Sequence, residues 1–592
     1  MTATTFPSNL QETYSYDAVG NLLSKTDRKS QTIQYAYDAL NRLTQKTYPG
    51  GGTVSYSYDG DSRVTQVVDA TGTYQFTFDN VGRLTGTTTN YAFLTGRSFS
   101  TSYGYDAASN RIGFTDPESG STSYVYDTLN RLQTLTPPTA ISSGSFGFGY
   151  DGLSRRTSLT RPNPVQTSYS YDNLSRLLSV THANGGVTVD GATYTVDNAG
   201  NRTAKTDLYA GVTTNYGYDN IYELLNAAQG STTTESYTYD AVGNRLSNLA
   251  SSGWSNNTSN ELTSRPGVSY TYDANGNTAT KVDSTGTTTY SWDFENRLTS
   301  VTLPGSGGAV TFKYDPFGRR IYKSSSAGTS IYAYQGDNQT EEVNSSGAVV
   351  ARYSQGLNSD EALAMLRGGA TSYYERDGIG SITSLTNSAG ALAQTYTFDS
   401  FGNQTASSGS LTNPFRYTGR EFDSETGLYF YRARYFDPAA GRFLSEDPLG
   451  INGEDINYYR FVGNSPTLYI DPFGLFSWTY KVTYHDDGWY GLMKGTTNVT
   501  LPPTLTWKCD LDCGGKYKLT FNVTFQRGGV YRMGRDKPSS ILRSRSLSGF
   551  LREKGKSGQW WFPINTRMLS PICRAIPSST PESISCFLPK YL

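Results

Sequence analysis

One pattern governs what this chain can become: an aromatic residue, any residue, a second aromatic and an aspartate, recurring over most of its length. It stands at Tyr14 to Asp17, Tyr35 to Asp38, Tyr56 to Asp59 and Phe76 to Asp79. It returns at Tyr103 to Asp106, Tyr124 to Asp127, Tyr169 to Asp172, Tyr216 to Asp219, Tyr237 to Asp240, Tyr270 to Asp273 and Tyr396 to Asp399. The first four aspartates are 21, 21 and 20 residues apart, so the unit is about 21 residues. A fixed period of that size is the mark of stacked supersecondary units. Two aromatics with one residue between them lie on the same face of a strand. The Asp is followed by Gly or Asn and then Arg-Leu or a variant, as in Asp79-Asn80-Val81-Gly82-Arg83-Leu84. Asp can accept bonds from the amides ahead of it and Gly or Asn can take positive φ, which together make a turn. Each unit therefore predicts strand, tight turn, strand. One hairpin alone is marginal, whereas a stack buries its aromatic faces and covers most strand edges.

Composition agrees with an all-β repeat. The chain of 592 residues has 47 Tyr and 61 Gly but only 5 Met and 17% charged residues, a composition poor in helix formers. Its net charge of -1 hides two opposites. Residues 476–592 carry 17 Lys+Arg against 7 Asp+Glu, or +10, which leaves 33 against 44, or -11, for residues 1–475. All four cysteines, Cys509, Cys513, Cys573 and Cys586, also lie in the basic part, so the repeats cannot rest on disulfides. No uninterrupted apolar run of about 18 residues offers a transmembrane segment, and Met1–Leu10 lacks the basic and apolar regions of a signal peptide. The start inside a repeat reads as a truncated chain or a short member of its class.

The repeat resembles the YD repeats of Rhs proteins, Tc toxin C components, wall-associated proteins and teneurins, from about residue 10 to 475. The residues give hairpins; the resemblance implies that they coil into a hollow shell. From 414 a different string follows: Pro414-Phe-Arg-Tyr-Thr-Gly-Arg-Glu-Phe-Asp423, Thr426-Gly-Leu-Tyr-Phe-Tyr-Arg-Ala-Arg-Tyr-Phe-Asp-Pro438, Gly441-Arg-Phe-Leu-Ser-Glu-Asp-Pro448 and Asp471-Pro-Phe-Gly-Leu475. This is similar to the Rhs repeat-associated core, which closes one end of the shell and cuts the chain after its Asp-Pro-x-Gly-Leu motif. The resemblance implies cleavage between Leu475 and Phe476 by an aspartyl-type autoprotease that acts once, with Asp447, Asp471 and Arg434 at the catalytic positions. Two carboxylates that share a proton take different pKa values, so one can serve as base and the other as acid. Arg434 could keep one of them ionised or hold an oxyanion. Asp-Pro pairs are also turn formers, as Asp315-Pro316 and Asp437-Pro438 are expected to be. The 24-residue separation of Asp447 and Asp471 does not by itself bring them together.

The expected domains are a β shell over 1–413, the core over 414–475 and a variable basic cargo over 476–592. Alternation in Trp478–Tyr484 and Tyr517–Phe525 predicts strands up to about 530; the Arg, Ser and Pro beyond read as disorder or as an end that never folds. With only His182 and His485, a multi-histidine metal site is ruled out, and no cofactor is implied. Gly549 to Ser557 has one residue too many for a phosphate loop, and Cys509 with Cys513 could be zinc ligands, a disulfide or free thiols. His485, Asp486 and Asp487 read as a solvated turn sooner than as an acid/base group.

Three functions fit. The first is a secreted or surface polymorphic-toxin carrier of bacteria, whose partners are its own cargo, an immunity protein and a secretion system. The basic cargo then suits either nucleic acid or an acidic shell wall. The second is a non-enzymatic surface protein that binds carbohydrate or a neighbouring cell, and the third is a remnant with an intact shell and a meaningless tail.

Overall fold

The computed structural model describes residues 2–453 and 455–475, and beyond them only the backbone of short strands between Leu505 and Phe587. Among the described residues there is no α-helix, and none long and apolar enough to cross a membrane. Strands from Ala3 to Ser236 form one 22-stranded sheet and strands from Ser255 to Gly409 a 16-stranded one. In both, each strand pairs antiparallel with its neighbour in sequence, as at Gln11–Tyr16 with Leu22–Thr26 and Leu392–Phe398 with Gln404–Gly409. A three-stranded piece from Thr238 to Ser252 joins them. The joins are local breaks, because Tyr237 N donates to Leu225 O at 2.7 Å and Trp254 N to Leu246 O at 3.1 Å, which carries the path through.

The Asp, the Arg and the second aromatic of the repeat unit each have a physical explanation. Asp151 N bonds Arg155 O at 3.0 Å and Ser154 N bonds Asp151 O at 2.9 Å, while Ser154 takes φ 59°. This is a type I turn followed by a left-handed residue and a bulge, and it shifts the register between Gly149 and Tyr150. The Asp151 carboxylate organises the turn: Oδ1 accepts the amides of Leu153 and Arg155, both at 2.9 Å, and Oδ2 accepts Arg155 Nε at 2.6 Å. Arg155 then reaches the next unit, donating to Asp172 O at 3.0 Å and covering the Tyr171 ring at 4.8 Å. Tyr171 returns the link through its hydroxyl to Arg156 O at 2.9 Å. The second aromatic, the Asp and the Arg thus stitch one hairpin to the next. The same turn forms at Asp293 and Asp315, after Tyr290-Ser-Trp292 and Phe312-Lys-Tyr314, and also at Asp197 and Asp377, where Val196 and Arg376 replace the second aromatic.

The sheet then coils back on itself. Residues 172 to 249 positions apart meet along a seam: Lys29 with Asp273 at 3.2 Å, Lys46 with Glu295 at 3.1 Å and Lys205 with Asp377 at 2.9 Å. Part of the core lies between these two passes. Val64, Val67 and Tyr91 of the first pack with Ile321, Ile331 and Val343 of the second. A four-stranded sheet, Glu421 to Phe443, called the plug below, packs its Tyr429, Tyr431 and Phe436 with Phe461 and with Leu224, Tyr237 and Phe401 of the wall.

Past Leu475 the described backbone pairs Leu505–Leu511 with Tyr517–Thr524, and the latter with Val530–Arg532 and Ser548–Leu551. Phe476, Trp478–Tyr484, the His485 to Asp487 group and the side chains of the four cysteines lie outside the described residues.

Candidate active site

Three pieces make the site: a hairpin, the segment from Asp471 to Leu475, and the turn at Asp447. Strands Leu428–Tyr431 and Arg434–Asp437 meet in a two-residue turn, Arg432-Ala433, and the segment from Asp471 to Leu475 lies against that turn. Its carbonyls are taken up in order. Arg432 Nη1 donates to Pro472 O, Ala433 N donates to Phe473 O at 3.1 Å, and Arg434 Nε donates to Gly474 O. Gly474 is at φ 65°, and a Cβ there would stand 2.1 Å from Tyr431 O. Only glycine allows so close an approach.

Arg434 is the centre of the arrangement. It is 2% exposed and its guanidinium lies 3.6 Å from the centroid of the Phe443 ring. Its Nη1 donates to Tyr458 O at 2.8 Å, and its Nη2 faces Asp447 Oδ2 at 2.9 Å and Asp471 Oδ2 at 3.5 Å. The two carboxylates therefore converge on one nitrogen, in a water-poor setting where Asp447 is 5% and Asp471 1% exposed. Burial pushes the Asp471 carboxyl up to about 7; Arg434 pulls it down and the Asp447 charge pushes it further up. Asp471 Oδ1 accepts the Leu475 amide at 3.1 Å, so this carboxyl touches the residue whose far side is the Leu475–Phe476 bond.

The structure thus brings together Arg434, Asp447, Asp471 and Leu475; Phe476 lies outside the described residues. Asp315 and Asp437 are turn residues, Asp315 Oδ1 accepting Phe317 N and Arg319 N at 2.9 Å and Asp437 Oδ1 accepting Ala439 N at 2.9 Å. Asp447 combines both uses. Its Oδ1 accepts Leu449 N at 2.8 Å as in any Asp-Pro turn, which leaves Oδ2 for Arg434. The sequence left unmarked the backbone partners, Tyr458 O and Gly474 O, and the Phe443 ring that shields Arg434. The sole signal for them is the glycine of the Asp-Pro-Phe-Gly-Leu motif.

Comparison with known proteins adds to this geometry. A model of the teneurin YD-shell matches residues 201–467, and one of the RHS repeat matches 16–53 and 150–187. The tRNA3(Ser)-specific nuclease WapA of Bacillus spizizenii is 31% identical over 273 residues, 44% of this chain and 12% of that protein. Toxin protein Tse5 of Pseudomonas aeruginosa is 50% identical over 62 residues, 10% of this chain and 5% of that one. The matched part thus spans an eighth or less of these two relatives. The crystal structure of TcdB2-TccC3-Cdc42 has the same fold at 18% identity, with a TM-score of 0.70 over 80% of this chain and 28% of that chain.

Proposed function

Because this chain belongs to the YD-repeat family of Rhs proteins, we propose that it is a polymorphic-toxin carrier, whose shell encloses the C-terminal segment and whose core cuts the chain once, between Leu475 and Phe476. One observation carries the reading: a buried Arg434 shared by Asp447 and Asp471, with the Leu475 amide on Asp471. In the reaction Asp447, the nearer partner of Arg434, takes a proton from water as the oxygen bonds to the Leu475 carbonyl carbon. Asp471 supplies the proton, the C–N bond to Phe476 breaks, and a carboxyl on Leu475 and an amine on Phe476 result. The three carbonyls held at 472, 473 and 474 fix the segment against the acids, which lowers the entropic cost of reaching the transition state.

The +10 charge of residues 476–592 against -11 for the rest supports a guest held by its wall. That relatives of the same repeats are a tRNA nuclease and a toxin supports a toxic cargo delivered outside the cell of origin. Size-exclusion chromatography of the expressed full-length chain tests enclosure. Two fragments that co-elute in native buffer and separate in urea are expected, and a tail that elutes freely in native buffer contradicts enclosure.

A further inference from the structure

Resting on the cleavage reading above, we propose that Asp360, a residue of the shell wall, is a positioning residue for the cut. It holds the Arg432 guanidinium that fixes the Pro472 carbonyl, so the cleavage segment is set only when the second pass of the coil is in place.

Asp360 sits in the turn between strands Val349–Gln355 and Ala362–Arg367, more than fifty residues before the plug begins. Its Oδ1 lies 2.7 Å from Arg432 Nη2 and its Oδ2 3.0 Å from Arg432 Nη1, a two-pronged pair that orients the planar guanidinium. The same Nη1 donates to Pro472 O, and Nη2 donates to Asp337 O at 3.2 Å. A second cation, Arg420, pairs with Asp360 Oδ1 and donates through Nη2 to Phe430 O at 2.8 Å. One wall carboxylate thereby holds both the strand that leads into the Arg432-Ala433 turn and the carbonyl that opens the cleavage segment.

Two further facts mark this as more than a surface ion pair. Asp360 and Arg432 are both turn residues in the left-handed region, φ 63° and φ 56°, so the backbone that carries each side chain is set by its turn. The wall also holds Asp360 from its own side, since its amide donates to Asn338 Oδ1 at 2.9 Å. Burial alone would raise the Asp360 carboxyl, yet Arg420 and Arg432 outweigh it and keep the group below the usual carboxylate range. Without that charge, two neighbouring guanidiniums lose their shared anion and Arg432 loses its orientation. A misplacement near 1 Å at such a site costs on the order of 100-fold in rate.

The test is a time course of cleavage during cell-free synthesis of the full-length chain. Fragments are resolved under denaturing conditions, and limited proteolysis reports whether the shell has formed. Asp360→Asn is expected to give a protease-resistant shell that cuts at least about tenfold more slowly than wild type. The double variant Asp360→Asn with Arg432→Gln is expected to cut faster than the product of the two single effects predicts, because both act on the Pro472 carbonyl through Arg432. Should Asp360→Asn fail to fold, Arg432→Lys decides: it keeps a cation opposite Asp360, gives up one of the two donor arms, and is also expected to slow the cut. Wild-type speed in folded Asp360→Asn, or in Arg432→Lys where that variant decides, overturns the proposal, as does a double variant slowed by the product of the single effects. A wild-type chain that never cuts overturns the cleavage reading itself.

Discussion

Asp471 has two tasks, taking the Leu475 amide on one oxygen and sharing Arg434 with Asp447 on the other. Its carboxyl is pushed up to about 7 from an ordinary value of 3.8, so the folded chain holds a proton there that the unfolded chain has lost. This contribution to stability is complete below about pH 4 and is lost as pH rises through about 7. The acid form that the proposed reaction needs disappears over the same upper range. Cleavage is expected to slow by about tenfold per pH unit well above 7, and fragment yield against time at several pH values checks it. A rate that climbs steadily through pH 9 contradicts an acid role for Asp471. These residues were legible because Asp-Pro-Phe-Gly-Leu and the Arg-Ala-Arg string are compact motifs. Their meeting was not, since it depends on the plug laying residues 471–475 along the turn at Arg432-Ala433. Arg432 itself stands two residues from Arg434 in the same string, and nothing local distinguishes the residue that orients the segment from the one between the acids.

The hairpin unit shows why the aromatic-x-aromatic-Asp pattern extends to an Arg four residues on. Asp makes the turn, Arg caps the Asp and reaches the next turn, and the second aromatic lies under that Arg. Arg155→Ala removes a charge-assisted bond, a bond to the next rung and a cation–π contact together. The expected cost is about 1–3 kcal/mol, concentrated locally because each rung touches chiefly its neighbours. Hydrogen exchange measures it: amides between Phe146 and Leu177 are expected to lose protection while those near Thr32 keep theirs. Uniform loss over the whole sheet contradicts a rung-by-rung account. Strand, turn and period were readable from sequence because they are local. The bulge that displaces the second aromatic, and the serine that adopts positive φ at Ser154, were not, since turn chemistry led to Gly or Asn there.

At the scale of the molecule, the coil brings residues 172 to 249 positions apart into one seam, and no periodicity of 21 can foretell which rungs will meet. The seam is written in pairs such as Lys46 with Glu295 and Lys205 with Asp377, each of which looks like an ordinary surface charge in sequence. Coiling is also what sets Asp360 beside the plug, so the completed wall and the site are one assembly. The central claim is that this assembly cuts its own chain, and intact mass spectrometry under denaturing conditions tests it most directly. The wild-type chain is expected to give two masses, one ending at Leu475 and one beginning at Phe476, while Asp447→Asn and Asp471→Asn each give the full-length mass. A wild-type preparation with a single uncut mass contradicts the account.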